Sequence, residues 1–446
     1  MRFLQLVAFQ LSVQSNICSL GYSKSLRCPD RFDSPPVRRY HSRQHCVGIG
    51  NSEVTVRTLS VLLPSLLLMA FLSVGLRGQE SGKPLWTTNL QPFSYASRPN
   101  PHYIGGKPYI NGKFADIGVI FRSADEVICY FVTKATGGQL EQRSELETSG
   151  PFKLQIISFA ASSGGLKFAK DLPAHAGVTS VMVNSEGRLV VRTADFLRLY
   201  STDFASYAER LLPSAWLRGW VVRPSPSGKT LGLRYSSYPS EQFEILDSTS
   251  LSAMRSPQKD HLLPFFSISE TGIVQPNRDR KGLLIRGFDS VWRSLPGSES
   301  LACISNNPVF INESQLLNAC GQELVLLSTS GEVLFRDRVD KNEHLEELVS
   351  VTPDGHFFAV SAMRTKGGFM DYTKIKRSRT RILVYDATSQ KRISSVLVDP
   401  IPQKDYDFAL APDGSKLAVM IDNHVKVYAV AQPSSPVSSQ AAEKKP

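Results

Sequence analysis

Residues 374–381 read KIKRSRTR, and this short stretch holds Lys374, Lys376, Arg377, Arg379 and Arg381. The cations alternate with Ile375, Ser378 and Thr380. In an extended segment alternate residues share one side, so several of these charges would project together. Such a strip suits phosphate, sulfate or carboxylate groups on a partner. A solvated surface loop carries charge runs of the same kind, so the strip marks a candidate binding element and not a chemistry. Cysteines form the second candidate set. Cys129, Cys303 and Cys320 lie in the body of the chain, and Cys18, Cys28 and Cys46 near its start, close to His41 and His45. The N-terminal spacing is irregular and has no C-x-x-C pair, so no zinc cluster is expected.

Nothing in the sequence has the spacing of a catalytic machine. NEHLEEL at 342–348 is not H-E-x-x-H, and neither G-x-S-x-G nor G-x-x-x-x-G-K-[ST] occurs. His102, His175, His261, His344, His356 and His424 are scattered without ligand spacing. No catalytic residue, metal or cofactor is therefore expected, and Asp354 and Asp413 read as turn residues.

The elements that position the strip come from a repeat. VTPDGHFFAV at 351–360 returns almost unchanged as LAPDGSKLAV at 410–419. VNSEGRLVVR at 183–192, PSPSGKTLGL at 224–233 and ISETGIVQPN at 268–277 share the pattern. In each, a polar turn with a late glycine separates two apolar runs. Glycine supplies positive φ, and Asp or Ser can bond the turn's own backbone. Alternation on both sides predicts two half-buried antiparallel strands. The glycines are Gly187, Gly228, Gly272, Gly355 and Gly414, spaced by 41, 44, 83 and 59 residues. FINESQLLN at 310–318 fits a turn without glycine inside the long step, and FRSADEVICYF at 121–131 adds one upstream. Seven units with a period near 42 result, and two intervals are longer by about 18.

A period of ~40–45 residues built from four strands is a propeller blade. The expected fold is all-β, a seven-bladed β-propeller of four-stranded antiparallel blades over residues 84–432. In the second blade TSVMVN, RLVVRT, FLRLYS and FASYAERLL supply strands a to d. In the sixth, LVSVTP, HFFAVSAM, RILVYDA and KRISSVLV do so. The last unit has three strands, and PLWTTNL at 84–90 is expected to complete it and close the ring, which removes exposed edges. Residues 433–446 read as a disordered tail.

The P-D-G turns before HFFAV and KLAVM, with ILVYDATSQ closing a later strand pair, resemble the WD40-like repeat propellers of bacterial secreted proteins. These include the TolB-type and the YVTN or quinoprotein-like repeats. The resemblance implies the fold and is hardly specific for function, since propellers host many unrelated activities. No Trp-Asp dipeptide ends a blade, and Trp86, Trp216, Trp220 and Trp292 do not recur at the period, which argues against a quinone cofactor.

Length and charge frame this reading. The chain has 446 residues and a net charge of +11. Residues 1–78 carry +6 of it and the remainder +5, so the body is only mildly basic and no nucleic-acid partner is expected. VRTLSVLLPSLLLMAFLSVGLRGQ from Val56 has a positive start, an apolar run and small residues at Ser73-Val74-Gly75. This is the order of a secretory signal. The alternative is a membrane anchor, and membrane contact is expected only if 59–76 stays uncleaved. Residues 1–55 precede the signal and read as a non-native or disordered extension, and 56–78 as the signal or anchor. The expected location is secreted or periplasmic.

The extra residues of the two long intervals, 133–152 and 364–380, fall between strands b and c, as does a smaller excursion at 236–242. All three would project from one face, where an unknown protein or anionic ligand would bind. The blade-one insertion carries Glu141, Glu145 and Glu147, so the two long loops could instead pair with each other. Cys303 stands just before strand a of blade five and Cys320 at the end of its strand b, at the same end of one hairpin. A disulfide between them is expected in an oxidising compartment, with Cys129 left as a buried thiol. The function expected is a binding or protein-interaction scaffold. The alternative is a propeller hydrolase or lactonase, or a quinoprotein-like enzyme.

Overall fold

The computed structural model describes residues 79–93, 109–110, 113–114, 117–134, 152–174, 179–193, 196–212, 221–237, 240–259, 262–263, 266–366, 376–402 and 406–431. These include seven sheets of four or five strands. Blade one is Ile117–Ser123, Glu126–Lys134, Phe152–Ala160 and Leu166–Ala174. Blade two is Ser180–Val183, Leu189–Arg192, Phe196–Tyr200 and Tyr207–Leu211. Blade three is Val221–Pro224, Thr230–Ser237, Ser240–Asp247 and Ala253–Lys259. Blade four is Ser267–Ile268, Gly272–Pro276, Leu283–Gly287 and Arg293–Ser294. Blade five is Val309–Asn312, Gln315–Cys320, Glu323–Ser328 and Val333–Arg338. Blade six is His344–Val351, Phe357–Lys366, Lys376–Asp386 and Lys391–Leu397. Blade seven is Tyr406–Leu410, Lys416–Ile421 and His424–Ala429, with Trp86–Asn89 as its outer strand. The chain is a seven-bladed β-propeller.

Each sheet runs a to d in order and is antiparallel throughout its four blade strands. First strands of successive blades touch, from blade seven to one, one to two, three to four, four to five and six to seven. The a strands therefore form the inner ring. Their inward edges would carry unmet backbone N–H groups. Polar side chains of the preceding blade accept several of these. Ser267 takes the Phe310 N–H at 3.1 Å, Ser350 the Leu410 N–H at 2.9 Å and Asp407 the Val119 N–H at 2.9 Å.

Strand b departs from the half-buried expectation. Leu189–Arg192 and Gly272–Pro276 are buried at every position, and Val127 to Val132 is a continuous buried run. A blade is covered on both faces by its neighbours, so its middle strand has no solvent side. Each large apolar side chain so buried contributes about 1.5–3 kcal/mol. The outer strands open toward solvent, most fully in Tyr207–Leu211.

The a–b turns repeat one device. Asn184, Ser225, Ser269 and Thr352 stand three residues before the turn glycine, and each side chain accepts a backbone N–H of its own turn. Gly187, Gly228, Gly355 and Gly414 have φ between 68° and 73°, as positive-φ turn positions require. Gly272 does not. A Cβ there would lie 2.6 Å from the Arg286 carbonyl oxygen, so that glycine admits the neighbouring strand.

The ring closes on Trp86–Asn89, paired antiparallel with His424–Val427. Trp86 Nε1 donates to the Ala161 carbonyl at 2.8 Å, tying the closing strand to blade one as well. One strand precedes the expected start at 84: Gln79–Ser81 pairs parallel with Ser394–Val396 as a fifth strand on blade six.

Candidate functional site

The b–c connections rise from the face opposite the a–b turns. The longest b–c hairpins stand on blades six, one and three, with strands of ten and eleven, nine and nine, and eight and eight residues. These are the blades whose extra residues the repeat assigned to this face. Their form differs from the expectation. SSYPSEQ at 236–242 is no excursion: its strands run to Ser237 and restart at Ser240, paired with each other. In blade six the strands reach Lys366 and begin again at Lys376, also a pair. Residues 135–151 and 367–375, with Glu141, Glu145, Glu147 and Lys374, lie outside the described residues.

The basic strip is therefore a strand from Lys376 onward, and its arginines are held from within the molecule. Arg377 Nη2 meets Glu346 Oε1 at 2.9 Å, and its Nη1 donates to the Pro402 carbonyl at 3.2 Å. The guanidinium carbon sits 5.0 Å from the centroid of the Tyr406 ring. The second oxygen of Glu346 accepts from Ser361 Oγ at 2.5 Å and from the Tyr406 hydroxyl. Burial first, and the neighbouring Glu346 second, push the Tyr406 phenol well above its ordinary value. Arg381 Nη2 pairs with Glu343 Oε2 and lies 3.4 Å from Asp340. Arg379 stands 3.8 Å from the other oxygen of Glu343. The Glu343 side chain is fully enclosed. These acids belong to the lead-in and first strand of the same blade. A continuous run of positive charge read as a loop is thus a brace between strands a and c of blade six and the first strand of blade seven. Breaking a buried pair of this kind is costly because it strands a charge.

A second cluster lies on the inner ring. Glu347 on the first strand of blade six receives a hydrogen bond from Asn306 and feels the charges of Arg280 and Arg223. Arg223 is on the first strand of blade three and Arg280 in the b–c turn of blade four. Blades three and six are not neighbours in the ring, so this electrostatic interaction joins first strands that do not pack side by side. Burial holds the Arg223 guanidinium down to about 10 despite the opposing pull of Glu347. Burial raises the Glu347 carboxyl, and Asn306, Arg280 and Arg223 offset part of that rise. Sequence reasoning missed these four residues because they come from blades three to six at non-equivalent repeat positions.

Cys303 and Cys320 are joined in the structure, with Cα atoms 5.6 Å apart. Asn318 holds the segment in place, donating to the Cys303 carbonyl at 2.9 Å and accepting the Ser305 N–H at 2.8 Å. Cys129 is a buried free thiol, and its burial, with Asp407 nearby, pushes its pKa far up. Asp354 and Asp413 accept N–H groups of His356 and Ser415 within their turns, both at 3.0 Å. Among the described residues no group of three or more His, Cys, Asp and Glu side chains is placed to hold a metal ion.

No family model matches the chain, and no curated protein matches it. Solved structures do. A chain of a mitotic checkpoint complex aligns at 11% identity over 88% of this chain and 99% of its own, with TM-score 0.47. The C-terminal WD40 domain of Sif2 aligns at 13% identity over 72% and 97%, with TM-score 0.36. KlHsv2 with loop 6CD replaced by a Gly-Ser linker aligns at 16% identity over 55% and 74%, with TM-score 0.38. These likenesses are of fold and carry no inference about activity. The propeller itself rests on the chain's own strand pairing.

Proposed function

We propose that the chain is an exported propeller that works as a protein-interaction scaffold, engaging an anionic partner on the face that bears the b–c hairpins. The observation that supports this is the placement of the three longest b–c hairpins on that one face, on blades one, three and six. Binding surfaces concentrate on such projections from a rigid frame. Lys366 is exposed beside the internal brace, and the sequence puts Lys374 and Lys376 next to it in the strip. Export rests on the order of charge, apolar run and small residues over 56–78, together with the resemblance of the P-D-G turns to bacterial secreted propellers.

Replacing Lys366, Lys374 and Lys376 by Ser leaves Arg377, Arg379 and Arg381 in place, so the sheet stays braced. Pull-down from the exporting cell is expected to recover a partner with the wild-type chain. The variant should bind it more weakly and with a flatter salt dependence, since exposed charges are screened over ~10 Å at 0.1 M salt. Equal affinity of both proteins for every recovered partner would remove the strip from the interface. N-terminal sequencing of the natural protein tests export. A start just after residue 78 is expected, and an intact Met1 on exported protein would refute it.

A further inference from the structure

The outer rim of a propeller is a ring of strand edges, each with a row of backbone groups open to another chain. Six of the seven outer strands here carry a device that blunts the edge. Blade one has Lys167, Lys170 and Pro173 with a register shift, and blade three has Pro257, Lys259 and a shift. Blade four has an outer strand of two residues. Blade five has a register shift between Leu326 and Leu327. Blade six is covered by Gln79–Ser81, and blade seven ends in the short closing strand, preceded by Lys83 and Pro84. Among the described residues blade two has none of these. Tyr207–Leu211 pairs in unbroken register with Phe196–Tyr200 and holds no proline and no lysine.

Its charged residues are drawn away from the edge. Arg210 turns to blade three, 2.5 Å from Glu244 and 3.0 Å from the Leu251 carbonyl. Glu209 is held by Arg198 at 2.6 Å on the opposite face. What remains outward is mostly apolar: Tyr207 is 53% and Leu211 68% exposed, with the Glu209 side chain 33% exposed between them. Behind them runs a row of rings. Phe168 and Phe204 are 5.3 Å apart, Phe204 and Tyr200 5.9 Å, and Tyr200 and Tyr207 5.4 Å. Arg198 closes the row, 5.0 Å from the Tyr207 centroid and 5.1 Å from that of Phe196.

We infer that this edge receives an extended segment of a partner polypeptide, added to blade two as a fifth strand. Blade six shows the same mode within the molecule, where Gln79–Ser81 lies along its outer strand. Main-chain hydrogen bonds would hold the segment, and alternate side chains would set its sequence. Tyr207, Glu209 and Leu211 share one face, so the segment should read apolar-x-basic-x-apolar. Its apolar residues cover Tyr207 and Leu211, and its basic residue meets the partly exposed Glu209 carboxylate. This rim lies away from the b–c hairpins, so the inference stands apart from the scaffold reading.

The probe is a fluorescein-labelled peptide, Ser-Thr-Val-Thr-Lys-Thr-Val-Thr-Ser, titrated against the exported full chain and followed by anisotropy. Saturable binding is expected. Leu211→Lys and, separately, Tyr207→Lys install the gatekeeper that blade one already carries, and each should weaken binding at least about tenfold. Thermal melts of both variants should match the wild type. The same peptide N-methylated at its two valines and its lysine should not bind, since opposite Tyr207, Glu209 and Leu211 those residues carry the backbone N–H groups that face the edge. The Lys366, Lys374 and Lys376 triple variant should bind the peptide as the wild type does. No saturation at millimolar peptide, binding unchanged in both lysine variants, or equal binding of the methylated peptide would each overturn the inference. A dimer seen by light scattering and lost in Leu211→Lys would give the edge to a second copy of the chain and overturn it likewise.

Discussion

Replacing Arg381 by Met decides between a strand that braces the sheet and a loop that waits for a partner. The Arg381 side chain is 8% exposed and its Glu343 partner 0%. Methionine keeps much of the arginine stem's volume and leaves the carboxylate enclosed without its closest counter-charge. Removing one member of a buried pair costs about 3–5 kcal/mol. Arg379, still 3.8 Å from Glu343, places the expected loss near the lower end, at about 3 kcal/mol. A cation on a solvated loop would cost about 0–1 kcal/mol, so the two readings are separable. The double variant Arg381→Met with Glu343→Leu removes both charges and fills the site with apolar groups. It should return to within about 1 kcal/mol of the wild type. Urea denaturation followed by tryptophan fluorescence gives the free energies, with an unchanged m-value as the check that the folded state is intact. A single variant within about 1 kcal/mol of the wild type, or a double variant no better than the single, would refute the argument.

The chain from residue 79 onward, unfolded without reductant, should show one free thiol, that of Cys129. Three free thiols would refute the Cys303–Cys320 bridge, whose 17-residue separation should contribute about 3 kcal/mol. Burial raises the phenols of Tyr385, Tyr406 and Tyr428, the last to about 12, above the ordinary value of 10. A raised folded-state value means stability is intact below pH 10 and falls as pH climbs from 10 through 12. Absorbance titration at 295 nm should therefore show these tyrosines ionising late and together with unfolding, and a simple titration of every tyrosine near pH 10 would contradict it. Trp86→Ala removes the hydrogen bond to Ala161 and the packing on Phe159, 6.0 Å away between ring centroids. It should destabilise by about 3 kcal/mol on calorimetry, and an unchanged melting curve would mean that the closing strand is dispensable.

The blades were legible because each a–b turn must satisfy its own backbone. Asn184, Ser225, Ser269 and Thr352 do so with side chains at one fixed distance from glycine, and that constraint repeats with the fold. The closing role of PLWTTNL was legible too, because the last unit lacked a strand. Strand b was misread as half-buried: a local pattern does not report the two blades that sandwich it. The basic strip was misread as a loop because its acids, Asp340, Glu343 and Glu346, stand more than 30 residues upstream, and no spacing rule joins them to Arg377, Arg379 and Arg381. The electrostatic interaction of Arg223 with Glu347 was invisible for the same reason at greater distance. The covering strand Gln79–Ser81 was missed because three polar residues carry no strand signal of their own.

Blade seven joins the first strand of the ring to the last, and this fixes the order in which the molecule can be finished. Trp86 emerges early from a ribosome or an export channel, and its partner Val427 emerges after six blades have followed. Until then the strand has no sheet to join, and Phe159 and Ala161 of blade one wait uncovered on that side. Contacts this distant in sequence are the slowest to form, since the chain between them must first be ordered. The two ends of the propeller thus act as a single clasp. Loss of a short stretch at either end would leave an open arc with two raw faces rather than a slightly smaller ring.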